Sequence, residues 1–169
     1  EDRPKAARTV RVTGAQWKWH YKDREHPVEF YSLLATSKKQ ISGDEPKSGT
    51  YLLEVDQPLV LPVGKKIRFL MTSDDVIHSW WVPAFAVKKD ANPGYINESW
   101  TRIDKAGTYR GQCAELCGKD HGFMPIVVVA KTAGEIDGSI AKTAADQAAA
   151  KARKQDLASQ TMTLPQAME

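Results

Sequence analysis

Long apolar runs are missing from these 169 residues. The longest, residues 126–130 and the interrupted run 51–63, are strand-sized and well short of the roughly 20 residues that cross a bilayer. The sequence also lacks the signal-peptide pattern at Glu1, so it reads as a mature product or a shortened chain that does not itself span a membrane. Cysteine is scarce. Cys113 and Cys117, four positions apart, exclude a disulfide-dense scaffold, and a bridge between them would close one small loop of little entropic weight. Dense basic stretches with interleaved aromatics are absent too. A net charge of +3, with Lys and Arg spread along the chain, sets nucleic acid aside as a partner. There is no internal repeat.

What is present is enough apolar material, 41% of residues, for one ordinary core. β-favouring segments dominate the first three quarters: residues 9–13, 51–55, 66–72, 98–103, 108–112 and 126–131. Turn-forming clusters at residues 42–46, 62–64, 91–94 and 105–107 separate them. Many short strands with frequent turns predict an all-β sandwich or barrel. We expect a lead over 1–8, a β domain over 9–132 and an Ala-rich tail over 133–169. The tail favours helix over 140–158 but offers almost no large side chain to anchor it, so it reads as a marginal helix or a disordered extension. Its last stretch, 159–169, suits disorder or docking on a partner, and it carries no haem-attachment cysteine pair.

The densest chemistry is Cys113-Ala114-Glu115-Leu116-Cys117-Gly118-Lys119-Asp120-His121-Gly122-Phe123-Met124, directly after a predicted strand. Thiolate, imidazole and thioether together make a soft donor set that selects copper, whereas zinc has little use for methionine. A one-copper electron-transfer site needs a single cysteine, so the second is surplus to that design, and two thiolates could instead bridge two coppers. The second imidazole is sought in Asp74-Asp75-Val76-Ile77-His78-Ser79-Trp80-Trp81, which a sandwich can bring to the same end.

Taken together, Val76-Ile77-His78-Ser79-Trp80, Gly111-Gln112-Cys113-Ala114-Glu115-Leu116-Cys117-Gly118, His121 and Met124-Pro125-Ile126-Val127 resemble the binuclear copper (CuA) motif of cytochrome c oxidase second subunits. The resemblance covers about Val10 to Lys131, including Gln16-Trp17-Lys18-Trp19, Pro83-Ala84-Phe85 and Asp90-Ala91-Asn92-Pro93-Gly94. It implies a cupredoxin-like Greek-key β-barrel holding two copper ions. Cys113 and Cys117 would bridge them, completed by His78 with Met124 and by His121 with the backbone carbonyl of Glu115. It implies further that the Glu115 carboxylate reaches a magnesium site at the junction with the catalytic subunit. Trp17 would be an exposed aromatic where electrons enter from cytochrome c, to be relayed to haem in the catalytic haem-copper subunit of a membrane oxygen reductase. The full-length protein would be membrane-anchored on the periplasmic face of a bacterial inner membrane, or the equivalent intermembrane side.

Other readings stand beside this one. A nitrous oxide reductase copper domain shares the ligand set but usually has an aromatic residue where Glu115 stands. A copper-carrier module would bind one ion reversibly. A quinol-oxidase homologue without copper would lack the two cysteines. Residue by residue, His78 alone would more often be structural, Met124 could simply pack, and Met71 belongs to a strand core. Trp80, Trp81 and Trp100 read as core or rim packing. Asp74, Asp75 and Glu98 are either solvated loop charges or attractors of a basic cytochrome. His20 and His26 carry no functional signal.

Overall fold

The computed structural model describes residues 6–161. Alternation of side chains builds two five-stranded sheets. In β1 (Arg8–Ala15), β2 (Lys18–Asp23) and β5 (Lys66–Ser73), the alternate residues Val10, Val12, Trp19, Tyr21, Ile67, Phe69 and Met71 are buried, while Arg11 and Lys22 face water. With β3 (Glu29–Ser32) and β8 (Asn97–Arg102) they form a sheet in the order β3-β2-β1-β5-β8. The second sheet orders β4 (Leu59–Pro62), β10 (Pro125–Lys131), β9 (Gly107–Cys113), β6 (His78–Val82) and β7 (Val87–Ala91). Pairing is parallel between β1 and β5 and between β10 and β4, and antiparallel elsewhere. Between the sheets the Trp80 ring tilts against Phe69 at 4.8 Å, and its Nε1 donates to the Tyr21 hydroxyl at 3.2 Å, so the largest core side chain is also satisfied as a donor.

The expected strand over residues 51–55 is not formed. Its backbone is spent on turns, Tyr51 N to Ser48 O and Leu53 N to Thr50 O, with Leu52 at φ 59°, and only Val55 makes an isolated bridge, to Leu34. β-favouring side chains do not make a strand where no neighbouring strand accepts the ladder. The strands β2, β3, β4, β6 and β7 fall outside the predicted segments. β7 reads Val-Lys-Lys-Asp-Ala because it is an edge, where charges discourage pairing with another chain. Of the tryptophans, Trp80 is fully buried, whereas Trp100 lies on the water face of β8 and is 58% exposed.

After the short α1 (Lys38–Ser42), the tail is helical through the described residues, as α2 (Ala133–Thr161), and the expectation that it lacks anchors is corrected. Ile136 is buried, and Ile140 and Ala144, each four residues further on, pack against the core as a narrow stripe. Lys131 Nζ donates to Ser139 Oγ at 2.7 Å, and Gln147 Oε1 accepts from Glu29 N at 2.9 Å, tying α2 to β10 and to the edge strand β3. Residues 162–169 lie outside the described residues.

Gly111 in β9 lets two backbones approach: a Cβ there would stand 2.0 Å from Trp81 O, and that carbonyl cannot swing away without opening the β6–β9 pairing. Gly111→Ala should therefore cost about 3 kcal/mol, seen as a lowered urea midpoint at unchanged slope. A midpoint within experimental error of wild type would show that the two strands can separate freely at this point.

Candidate metal centre

Three connections meet at one end of the sandwich. β1 turns into β2 through Gln16 and Trp17; β5 ends at Ser73, opposite Gly14, and the chain re-enters at His78, the first residue of β6; β9 ends at Cys113 and returns into β10 after Met124. Pairing of Trp80 with Cys113, and the hydrogen bond from Ala114 N to Ser79 O at 3.0 Å, set the His78 segment beside the cysteine loop.

Within that loop the donors converge. Cys113 and Cys117 are both free thiols, their sulfurs 3.9 Å apart. Cys113 Sγ lies 4.0 Å from His78 Nδ1 and 3.3 Å from the carbonyl oxygen of Glu115. Cys117 Sγ lies 3.5 Å from His121 Nδ1 and 3.6 Å from Met124 Sδ. Separations of this size suit donors that share an ion, since each Cys or His donor sits about 2.0–2.3 Å from its metal. His78, Cys113, Cys117 and Met124 are buried, and the ligand atoms of the first three lie within 4.8 Å of one another. Two thiols, two imidazoles and a thioether in a largely buried cluster fit a thiophilic transition metal, copper above all.

The surroundings hold these donors in place. His78 Nε2 meets Asp75 Oδ1 at 2.9 Å, which turns Nδ1 toward Cys113. Gly14 makes room for the ring, because a Cβ there would stand 2.6 Å from His78 Cδ2. Trp19 packs edge-on against His78 at 5.9 Å and donates from Nε1 to Met124 O at 3.2 Å, touching both ends of the donor set. Gln16 Nε2 and Trp17 Nε1 both donate to Cys117 O, at 2.9 and 3.2 Å.

Residues 8–131 match the family model described as cytochrome C oxidase subunit II, periplasmic domain. The chain belongs to this family. Its curated relatives include a probable cytochrome c oxidase subunit 2 of Rickettsia bellii, 44% identical over 139 residues, 82% of this chain and 50% of the relative. Cytochrome c oxidase subunit 2 of Branchiostoma floridae is 43% identical over 122 residues, 72% of this chain and 51% of the relative. The chain spans about half the length of the curated relatives it matches. Among solved structures it is similar to the periplasmic domain of subunit II of cytochrome oxidase (CoxB) of Bradyrhizobium japonicum, at 43% identity and TM-score 0.75, covering 85% of this chain and 97% of that one. It is also similar to a mixed disulfide intermediate between a thioredoxin-like protein and subunit II of cytochrome c oxidase, at 41% identity and TM-score 0.71, covering 86% of this chain and 96% of that one. The expected cupredoxin-like β fold is the fold of this subunit II family member.

In this subunit II domain the structure brings together His78, Cys113, the Glu115 carbonyl, Cys117, His121 and Met124, while the Glu115 side chain points to water. Trp17 is half-buried rather than the exposed ring expected, because its indole folds onto Cys117 O and Gly118, with Lys119 Nζ 5.8 Å from the ring centroid. Asp75 stays partly exposed but is not a free docking acid: it is bound by His78 and by the backbone N–H groups of Gln16 and Val76. Glu98 faces Arg68 at 2.6 Å across β5 and β8. His20 and His26 stand elsewhere, against Glu29 and Asp23. Sequence reading passed over Gly14, Gln16, Trp19 and Asp75 as supports of the site. The one signal it carried was an acid three residues before the histidine.

The two thiols differ. Burial opposes ionisation of Cys113, but hydrogen bonds from His78 and at the Ser79 and Glu115 backbone outweigh it and bring the thiol down to about 7. Burial, followed by the neighbouring Cys113 charge, pushes Cys117 up to about 12. Cys113 is thus neutral below pH 7 and a thiolate above it, and the second proton is held far into alkali. Thiolate absorbance at 240 nm of the metal-free protein should rise by one equivalent around pH 7, and Cys113→Ser should abolish that step. Two equivalents lost together near the ordinary thiol value would contradict the arrangement. Gly14→Ala should displace His78 and lower metal affinity about 10–100-fold, the range for damage to a ligand's supporting shell, read by competition with a chelator.

Proposed function

We propose that this chain is the electron-input domain of a membrane oxygen reductase, taking electrons from cytochrome c at a binuclear copper centre and relaying them to haem in the catalytic subunit. The observation that carries this reading is the pair of free thiols 3.9 Å apart, flanked by two imidazoles and a thioether within 4.0 Å of a sulfur. Cys113 and Cys117 would hold two coppers between them, His78 and Met124 completing one and His121 with the Glu115 carbonyl the other. Copper bound there would supply a one-electron store. The protein's part is rigidity: the bonds to Asp75, Trp19, Gln16 and Trp17 hold His78 and the backbone at Met124 and Cys117, so little rearrangement opposes electron movement.

Trp17 is the point of electron input in this reading, supported by the single hydrogen bond that separates its indole from the backbone of Cys117. The exposed Glu115 carboxylate suits a magnesium ion completed by the catalytic subunit, since hard oxygen ligands fit that ion. Beside it the metal end carries an unusually apolar rim: Leu116 is 78% exposed, Tyr95 72%, Ile96 68% and Ile77 43%. Such a patch favours a protein partner at this end, in keeping with docking on the membrane subunit. No helix among the described residues is long and apolar enough to cross a membrane, so anchoring is assigned to parts of the full-length protein outside this segment, with the domain on the periplasmic side.

A second activity of the same thiols follows from their proximity. Oxidised to a disulfide they cannot take copper, and a thioredoxin-like dithiol would restore them. One of its thiolates attacks one sulfur of the Cys113–Cys117 bond, breaking that bond, forming a mixed disulfide and expelling the other cysteine as a thiolate; its second thiolate then breaks the mixed disulfide, leaving both cysteines reduced and the two-electron reductant as a disulfide.

Copper loading with a metal count and electron paramagnetic resonance tests the central proposal. Two coppers per chain with a seven-line hyperfine pattern are expected; one copper with a four-line pattern would mean a mononuclear centre or carrier and overturn it. Cys113→Ser or Cys117→Ser should destroy the two-copper spectrum. Trp17→Phe should leave it nearly intact while slowing electron uptake from reduced cytochrome c several-fold.

A further inference from the structure

Away from the metal end, α2, the β2–β3 edge of the first sheet and β4 of the second line an open groove of about 1290 Å³. It exists because the helix is alanine-rich where it crosses the sheet: Ile140 reaches the core, but Ala144 and Ala148, one and two turns on, leave the space over Val28, Phe30 and Leu59 unfilled. Its volume exceeds the roughly 300–1,000 Å³ of ordinary ligand pockets, as suits an open groove.

Besides His26 Nδ1, which faces Asp23 Oδ1 at 3.2 Å, two polar groups in its wall have no partner. Arg8 is buried, with its side chain 5% exposed; Nε donates to Asp23 Oδ2 at 2.5 Å, while Nη1 is buried and unpaired. Gln147 uses Oε1 to accept from Glu29 N, which leaves its Nε2 buried and unpaired. The two are neighbours through the β2–β3 turn, since Asp23 N bonds Val28 O and Glu29 follows directly. Buried donors left unsatisfied cost about 1–3 kcal/mol each, so each is a standing demand for an acceptor. Both orphans are donors only, and the groove beside them combines an apolar floor of Val28, Phe30, Leu59 and Ala144 with charged side chains.

Charge narrows the class further. The wall carries Arg8, Lys22 and Lys142 against Asp23, Glu29, Asp56 and Asp146, and the Arg8 charge is already matched by Asp23. An added carboxylate or phosphate would meet a surplus of acids, whereas a neutral carbonyl or ether oxygen would not.

We propose that the groove between α2 and the β2–β3 edge binds a neutral amphiphile, its carbonyl oxygens accepting from Arg8 Nη1 and Gln147 Nε2 and its acyl chain lying over Val28, Phe30, Leu59 and Ala144. The site is separate from the metal centre and independent of the copper reading.

The test is titration of the full chain with monodecanoin and, separately, with decanoate, below their aggregation concentrations, followed by calorimetry and by amide shifts in the β2–β3 turn and α2. Monodecanoin should bind saturably, one per chain, and at least about tenfold more tightly than decanoate. Gln147→Glu, which keeps the volume and the oxygen that accepts from Glu29 N but removes the Nε2 donor, should weaken binding by roughly tenfold, the worth of one hydrogen bond. Ala144→Trp, which fills the groove and leaves both polar groups in place, should abolish it. Far-ultraviolet circular dichroism and the copper spectrum of both variants should match wild type. Absence of saturable binding, equal binding by the Ala144→Trp protein, or preference for decanoate would each overturn the proposal; in the first case the orphan donors are met by water alone.

Discussion

Order at the metal end rests on one carboxylate. Asp75 receives His78 Nε2, the backbone N–H of Gln16 from the β1–β2 turn, and the backbone N–H of Val76 from its own loop. Burial opposes its ionisation, but His78 and the two amides more than compensate and hold the carboxyl below its usual range. Its contribution is therefore present at neutral pH and lost as acid drives pH down through the folded-state value. Hydrogen bonds to a charged acceptor contribute about 1.5–3 kcal/mol each, and here they tie two connections to a third element. An anion committed in this way is not free to attract a partner, and Glu98 is likewise committed to Arg68.

What could be read from the sequence divides along physical lines. Cys113, Cys117, His121 and Met124 were legible because donor atoms crowded into one loop have few structural explanations. His78 was legible only through its neighbours in the Val76–Trp80 motif, since a lone histidine says nothing about what will lie across from it. Gly14 and Trp19 were not legible as supports, because their roles depend on distances between strands: a Cβ-sized gap beside one ring, and an indole spanning β2 and the end of the cysteine loop. The β class followed from alternation and turns, but residues 51–55 had strand-like side chains and no ladder to join, and the charged edge β7 had a ladder without strand-like side chains.

The helix α2 was underestimated for a related reason. Its Ala-rich middle looks unanchored, yet Ile136 lies one turn before that middle and Gln147 reaches a main-chain amide of the edge strand β3. Stability comes from a few contacts at the right spacing. The same economy of large side chains shields an exposed strand edge, since Gln147 occupies Glu29 N while Asp56 occupies Leu33 N.

The connectivity of the two sheets carries a consequence for assembly. Strand β1 lies parallel to β5, and β4 parallel to β10, so residues such as Val12 and Met71, or Leu59 and Val128, must meet across long stretches of chain. Non-local pairings of this kind close late because loop entropy must be overcome first. The thiols, by contrast, are neighbours in sequence and available from the moment the chain emerges. During biogenesis there is thus an interval when both sulfurs are present without His78, Trp19 or the Asp75 clamp around them. In that interval they are open to oxidation and to any thiophilic ion; the closed barrel supplies protection by burying both sulfurs.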